Sequence, residues 1–273
     1  MDTCYRCSEP GTTREHVPPK CLFPEAKDVD GLLLRKDLIT VPSCPLHNTA
    51  KSRDDEFLMV CLAGIIGNNS IGFRHRFSKV NKAIRRSAYR LLRETFVGAV
   101  KVEVRELERN KFVDILWGTP DVDRLKRCFE HIAHGLHWHH FGRHAPGLVK
   151  VHLGFLAYHE ARAGTFNAFI ARAIERDLEG KERLGSNPDV FSYEVTAVDQ
   201  QGCYAMRLRF YGGLQVFLAF TPTTERPFHL GWMLVEKGLT TVFKVGDDRF
   251  VFNEGATADS DAIAAGSAAQ VTR

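Results

Sequence analysis

The sequence predicts an α+β protein, with a small metal-stapled module at the N-terminus and a larger domain of helices and antiparallel sheet behind it. Three observations carry this expectation. Residues 1–58 are rich in Cys, Pro, His and charge and have few long apolar runs, so they cannot bury a core without a staple. Apolar residues then recur at helical spacing through much of residues 59–180. After Ser186 the texture turns alternating, β-branched and aromatic, punctuated by turn residues.

The bulk properties are those of an ordinary globular protein. The chain has 273 residues, 44% hydrophobic and 26% charged, long for one domain and comfortable for two. A net charge of +4 fits a polyanionic partner without requiring one. No apolar run is long enough for a membrane span, and MDTCYRCSEP lacks the basic start and apolar stretch of a secretory signal. A cytoplasmic protein with no membrane partner is expected. In such a reducing compartment, closely spaced cysteines point to metal rather than disulfides.

In chain order, LITVP (Leu38–Pro42) reads as a strand, and Pro45 suits the start of a helix running from Leu46. Phe57–Gly67 is apolar all round, a buried helix end, and NNSIG then reads as a turn. Phe73–Phe96 reads as one long amphipathic helix, with Phe77, Val80, Ala83, Ile84, Ala88, Leu91 and Leu92 on its apolar stripe. VKVEVRE alternates like a strand. The stretch from Asp121 to Gly142 is a further helix with Asp121 or Asp123 at its N-terminus. FSYEVTAV, YAMRLRFYG, LQVFLAFT, GWMLV and TTVFKV read as strands of an antiparallel sheet, with a hairpin turn at Gly212–Gly213. The expected units are a module over 1–58 and a domain over 59–252, helical over 59–180 and β-rich over 187–252. A small, polar tail over 253–273 is expected to be disordered.

Cys4-x-x-Cys7 and Cys44-x-x-His47 form two half-sites. Two residues between ligands let one short turn offer both to a single ion, and three thiolates with one imidazole suit a closed structural zinc site. The intervening stretch leaves room for an insert, which carries Glu15-His16-Val17-Pro18-Pro19. Asn48 follows the last ligand candidate directly, with Lys51, Ser52, Asp54 and Asp55 close behind.

Taken together, C-x-x-C, then E-H-V-P-P, then C-x-x-H-N-x-x-K-S resembles the HNH endonuclease family over residues 4–56. The resemblance implies a treble-clef-like ββα-metal fold, a hairpin followed by a helix. Glu15-His16 matches the family's Asp-His pair, which implies that Glu15 binds a catalytic Mg²⁺ or Mn²⁺ and that His16 is the general base. Asn48 matches the family's final His or Asn, the second protein ligand of that ion. The family's central Asn should fall between Leu38 and Val41, where none stands. Thr40 is the nearest candidate.

The chemistry is coherent without the family. Phosphodiester hydrolysis needs a deprotonated water and charge neutralisation on the phosphoryl oxygens. A hard cation suits a carboxylate and an amide oxygen. An imidazole with an ordinary pKa of about 6.5 can take the proton. Adjacent residues of an extended strand point to opposite faces, so Glu15 and His16 divide the two tasks.

Each feature also has a plainer explanation. The Cys3His set alone serves a zinc knuckle without catalysis, EHVPP alone is a rigid turn, and Asp54, Asp55 and Glu56 suit an exposed helix face. Cys21 reads as structural. The run Arg74, Arg76, Lys79, Lys82, Arg85 and Arg86, extended by Arg90 and Arg93, contains no acid. With Lys51, it is an expected electrostatic footprint for phosphates, against a solvated face or subunit contact. His131, His134, His137, His139, His140 and His144 offer a second metal site or, more simply, packing around Trp138 and Phe141. Phe210, Tyr211, Phe217 and Phe220 suit sheet packing.

The expected function is a metal-dependent endonuclease acting on DNA, of the kind the resemblance places in bacterial antiviral defence or mobile-element systems. Two other classes compete: a non-catalytic, zinc-dependent nucleic-acid-binding protein, and an effector nuclease gated by a partner bound at the C-terminal domain. A homodimer or a partner protein of a defence system are the candidate assemblies.

Overall fold

The computed structural model describes residues 2–49, 52–65, 67–106, 111–156, 161–222 and 230–254. It is a mixed α+β structure. Two short antiparallel strands open it, β1 (Thr13–His16) and β2 (Thr40–Ser43), followed directly by helix α1 (Pro45–Thr49). The segment between the strands is held by two 3₁₀ turns, Lys20–Leu22 and Ala26–Asp28. Helix α2 (Ser52–Gly64) buries Phe57 to Ala63 on every side, as an unbroken apolar run predicts.

The expected helix over Phe73–Phe96 is divided. It becomes α3 (Ser70–His75), a π-turn (Arg76–Val80), α4 (Asn81–Arg86) and α5 (Arg90–Thr95). Ala88 and Tyr89 take left-handed φ angles of 49° and 63° between α4 and α5. Ser87 caps the break on both sides. Its hydroxyl donates to the Ile84 carbonyl and accepts from the Leu91 amide. Ala83 on α4 and Leu91 on α5 both reach the core.

A long hairpin, β3 (Phe96–Glu106) with β4 (Lys111–Pro120), precedes helix α6 (Val122–Phe141). Asp121 caps α6 by accepting from the Arg124 amide, and Gly142 ends it at φ 63°. Such a carboxylate cap is typically worth about 1 kcal/mol. Leu125, Phe129, Ile132 and Leu136 recur at helical spacing along its buried face.

The main sheet is antiparallel, in the order β5 (Leu148–Leu153), β9 (Leu214–Thr221), β8 (Tyr204–Phe210), β7 (Phe191–Val195) and β6 (Leu184–Asn187). The hairpin at Gly212 and Gly213 joins β8 to β9 as expected. The stretch 59–180 is thus not purely helical, since it supplies β3, β4 and the edge strand β5. On one sheet face Met206, Leu208, Phe210, Val216, Leu218 and Phe220 enter the main core. Helix α7 (Ala161–Asp177) covers the other face over Ala205 and Phe217. There Glu194 holds Arg207 through a two-pronged ion pair of 2.6 and 2.7 Å.

GWMLV was expected as a strand and is instead the helix α8 (Leu230–Glu236). A short apolar run has no period of its own to decide between the two. Trp232 decides it, stacking on Phe243 at 4.7 Å and meeting Phe166, Phe169 and Phe252. The strands β10 (Thr241–Val245) and β11 (Asp248–Phe252) complete that aromatic cluster. Asn253 is anchored rather than loose, its amide donating to the Val235 and Leu239 carbonyls. The rest of the expected tail, 255–273, lies outside the described residues.

One hydrophobic core runs from Cys4 and Tyr5 through α2 and α6 to the inner face of the sheet. The N-terminal module is therefore packed into the rest of the chain. Tyr211, fully buried at the β8–β9 turn, donates its hydroxyl to the Leu22 carbonyl at 2.6 Å. No described helix is long and apolar enough to cross a membrane.

Candidate metal centre

The first ligand loop is built by backbone bonds. The Cys4 amide donates to the Glu9 carbonyl and the Gly11 amide to the Asp2 carbonyl. This folds Cys4 and Cys7 over the hairpin. Gly11 is required there, because a Cβ would stand 2.6 Å from Pro42 Cβ. Cys44 directly follows β2 and His47 lies on the first turn of α1, whose Asn48 amide donates to the Cys44 carbonyl.

Cys4, Cys7, Cys44 and His47 converge so that their ligand atoms lie within 4.8 Å of one another. His47 Nδ1 is 3.6, 3.5 and 3.2 Å from the sulfurs of Cys4, Cys7 and Cys44, and Cys7 Sγ is 3.9 Å from Cys44 Sγ. A tetrahedron with bonds of about 2.3 Å to sulfur and about 2.0 Å to nitrogen has edges of about 3.8 and 3.5 Å. The donor set and its spacing thus fit a metal ion and are compatible with structural zinc. Burial would raise the Cys4 pKa, but amides of Arg6, Cys44 and Cys7 directed at its sulfur outweigh this and lower it. Cys7 is pushed up: the Glu9 amide lowers it, but burial and the sulfurs of Cys4 and Cys44 prevail. Crowded thiolates of this kind need a cation among them.

The hairpin register pairs Thr13 with Ser43, Arg14 with Pro42, Glu15 with Val41 and His16 with Thr40. Alternation puts Thr13 and Glu15 on one face and Arg14, His16 and Thr40 on the other. Asn48 reaches the first face, its amide Nδ2 donating to Thr13 Oγ1 at 3.0 Å. Glu15 is buried there, only 6% exposed. On the opposite face Arg14 donates to Thr40 Oγ1 at 2.9 Å. His16 is half-buried, and burial, then the charge of Lys20, lowers its pKa.

The basic residues divide into groups. Arg74 is paired with Asp30, and Lys82 lies 3.8 Å from Asp28. These acids come from the segment between β1 and β2, which the run of sequence around the arginines could not reveal. Arg76 and Lys79 are half-buried. Arg85 and Arg86 are exposed. Lys51 lies outside the described residues. Asp54 accepts from Arg124 Nε at 2.7 Å, tying α2 to α6, while Glu56 is exposed. The Cys21 thiol donates to the Asp55 carbonyl and is pushed up to about 12 by burial and Asp55, consistent with its structural reading.

Among the described residues, no second group of three or more His, Cys, Asp or Glu comes together as a metal site. The buried His137 of α6 and His144 just beyond it make packing contacts instead. His137 Nδ1 hydrogen-bonds the Tyr204 hydroxyl, and the His144 ring lies tilted against Trp138, centroids 5.1 Å apart. His144 Nε2 also donates to the Cys4 carbonyl at 2.7 Å. That link to the metal loop, and the role of Thr13, had no signal in local sequence.

No family model, curated protein or solved structure matches this chain.

Proposed function

We propose that residues 1–58 form a treble-clef-like HNH nuclease site and that the protein is a metal-dependent endonuclease acting on DNA. In this reading Cys4, Cys7, Cys44 and His47 hold structural zinc. Glu15 and Asn48 hold one Mg²⁺ or Mn²⁺. The ββα order of β1, β2 and α1 supports it. The observation that carries it is the bond from Asn48 to Thr13, which brings the α1 amide to the strand face shared by Glu15.

When bound, the divalent ion supplies charge neutralisation on the phosphoryl oxygens. His16, on the opposite face, accepts a proton from water as the water oxygen bonds to phosphorus. The bond to the leaving oxygen breaks, and that oxygen takes up a proton. The lowered pKa of His16 suits the accepting role. Arg14, beside His16 on the same strand face, is available to a phosphate oxygen.

The test is cleavage of supercoiled plasmid with Mg²⁺ or Mn²⁺, comparing wild type with His16→Ala. General-base loss predicts a drop of about 10²-fold or more, with circular dichroism and zinc content unchanged. Near-normal cleavage by the variant, or none by the wild type, refutes autonomous catalysis as described. An inert wild type that becomes active when a partner is added would identify the gated effector. Direct bonds favour that second reading. Asn187 Nδ2 and Ser186 Oγ donate to the Lys36 and Asp37 carbonyls, linking the sheet to the segment that leads into β2.

A further inference from the structure

The chain from Ser70 to Arg86 is one continuous helical stretch carried through the π-turn at Arg76–Val80. Two aromatic rings on it stand in solvent. Phe73 is 60% and Phe77 53% exposed, with centroids 4.7 Å apart. Arg76 sets its guanidinium 5.7 Å from the Phe77 ring centre. The extra residue of the π-turn shifts the helix phase, so Phe73, Phe77, Lys82 and Arg86 follow one another along the exposed side. Arg85 and Arg86 have no carboxylate partner among the described residues.

A merely solvated basic face has no use for paired phenylalanines, and an apolar protein groove would be poorly matched by the arginines around them. We propose that this face binds a single-stranded stretch of DNA, with unstacked bases on Phe73 and Phe77 and phosphates along Arg85 and Arg86. Bases inside a duplex have both faces covered by neighbours, whereas an unpaired strand offers them to aromatic side chains. Phosphate contacts alone do not distinguish the two forms. The helix rises about 1.5 Å per residue, so the face is long enough for several nucleotides. The inference rests on the proposed nucleic-acid substrate but not on the chemistry at His16.

The test is fluorescence anisotropy of a labelled oligonucleotide, single-stranded and annealed to its complement. It uses the full zinc-containing chain without added Mg²⁺ or Mn²⁺, so that binding is read apart from cleavage. The single strand should bind more tightly than the duplex. Phe73→Ala/Phe77→Ala should weaken single-strand binding about tenfold or more and leave duplex binding unchanged, with Phe73→Trp/Phe77→Trp restoring it. Arg85→Ala/Arg86→Ala should weaken both forms and reduce the salt slope by about two. Equal binding by the phenylalanine variant, a duplex preference, or no binding at all overturns the proposal. So does a wild-type dimer that the same variant makes monomeric without loss of DNA binding. A protein that never cleaves plasmid yet shows these differences refutes the nuclease and leaves the surface standing.

Discussion

Gly135 on α6 lies so close to Val17 that a Cβ on the glycine would stand 2.5 Å from Val17 Cγ2 and 3.0 Å from Cγ1. Val17 directly follows His16, and its amide continues the hairpin ladder to the Ile39 carbonyl. The close contact makes α6 the support on which the end of β1 rests. It joins a helix and a strand far apart in the chain, at the one place where the candidate general base must be held still.

Gly135→Ala should therefore destabilise the protein. In an ordinary helix interior this change gains about 1 kcal/mol, but overpacking against Val17 should reverse the sign and cost about 1–3 kcal/mol. Urea denaturation measures this. Val17→Ala in the Gly135→Ala background should recover most of the loss, because it removes the methyl groups that clash. A double-mutant cycle with no coupling would show that the contact is relieved elsewhere.

Removal of the metal should loosen the N-terminal module first. Elemental analysis should find about one zinc per chain, and Cys44→Ser should reduce it to near zero. A chelator should lower the melting temperature of the wild type and leave that of Cys44→Ser unchanged, since a structural ion contributes directly to folding. A metal-free wild type with a chelator-insensitive melt would contradict the assignment.

Acid should destabilise the fold in a defined window. His75 and His137 are buried and held neutral, each with its pKa lowered to about 4, first by burial and then by Lys79 and Arg143 respectively. Unfolded histidine titrates near 6.5. Between those values the unfolded chain binds protons that the folded chain refuses, so stability falls as pH drops from about 6.5 to 4. Each histidine contributes a slope of up to about 1.4 kcal/mol per pH unit, and the added loss ends below about pH 4. Urea denaturation at pH 7 and pH 5 should show a smaller difference for His75→Gln than for the wild type. An equal difference would mean that His75 is protonated without cost.

Much of the metal site was legible because coordination chemistry is local. Two ligands separated by two residues meet the same ion from a single turn, so Cys4, Cys7, Cys44 and His47 could be paired before any fold was known. The helix start near Asp121 and the Gly212–Gly213 hairpin were readable for the same reason, since each satisfies backbone groups within a few residues. Glu15 and His16 could be assigned opposite faces from the alternation of a strand alone.

Other features depended on which surfaces meet. The break at Ala88–Tyr89 has no glycine or proline to announce it, and the helix at Leu230–Glu236 follows from the rings gathered around Trp232. Asp28 and Asp30 answer Lys82 and Arg74 from a segment remote in sequence. Short spacings and turn chemistry were determined by the sequence itself, because their energies arise between near neighbours. The support of Val17 by Gly135, the approach of Asn48 to Thr13 and the exposure of Phe73 and Phe77 were decided only by tertiary packing, where each contact depends on the positions of all the elements around it.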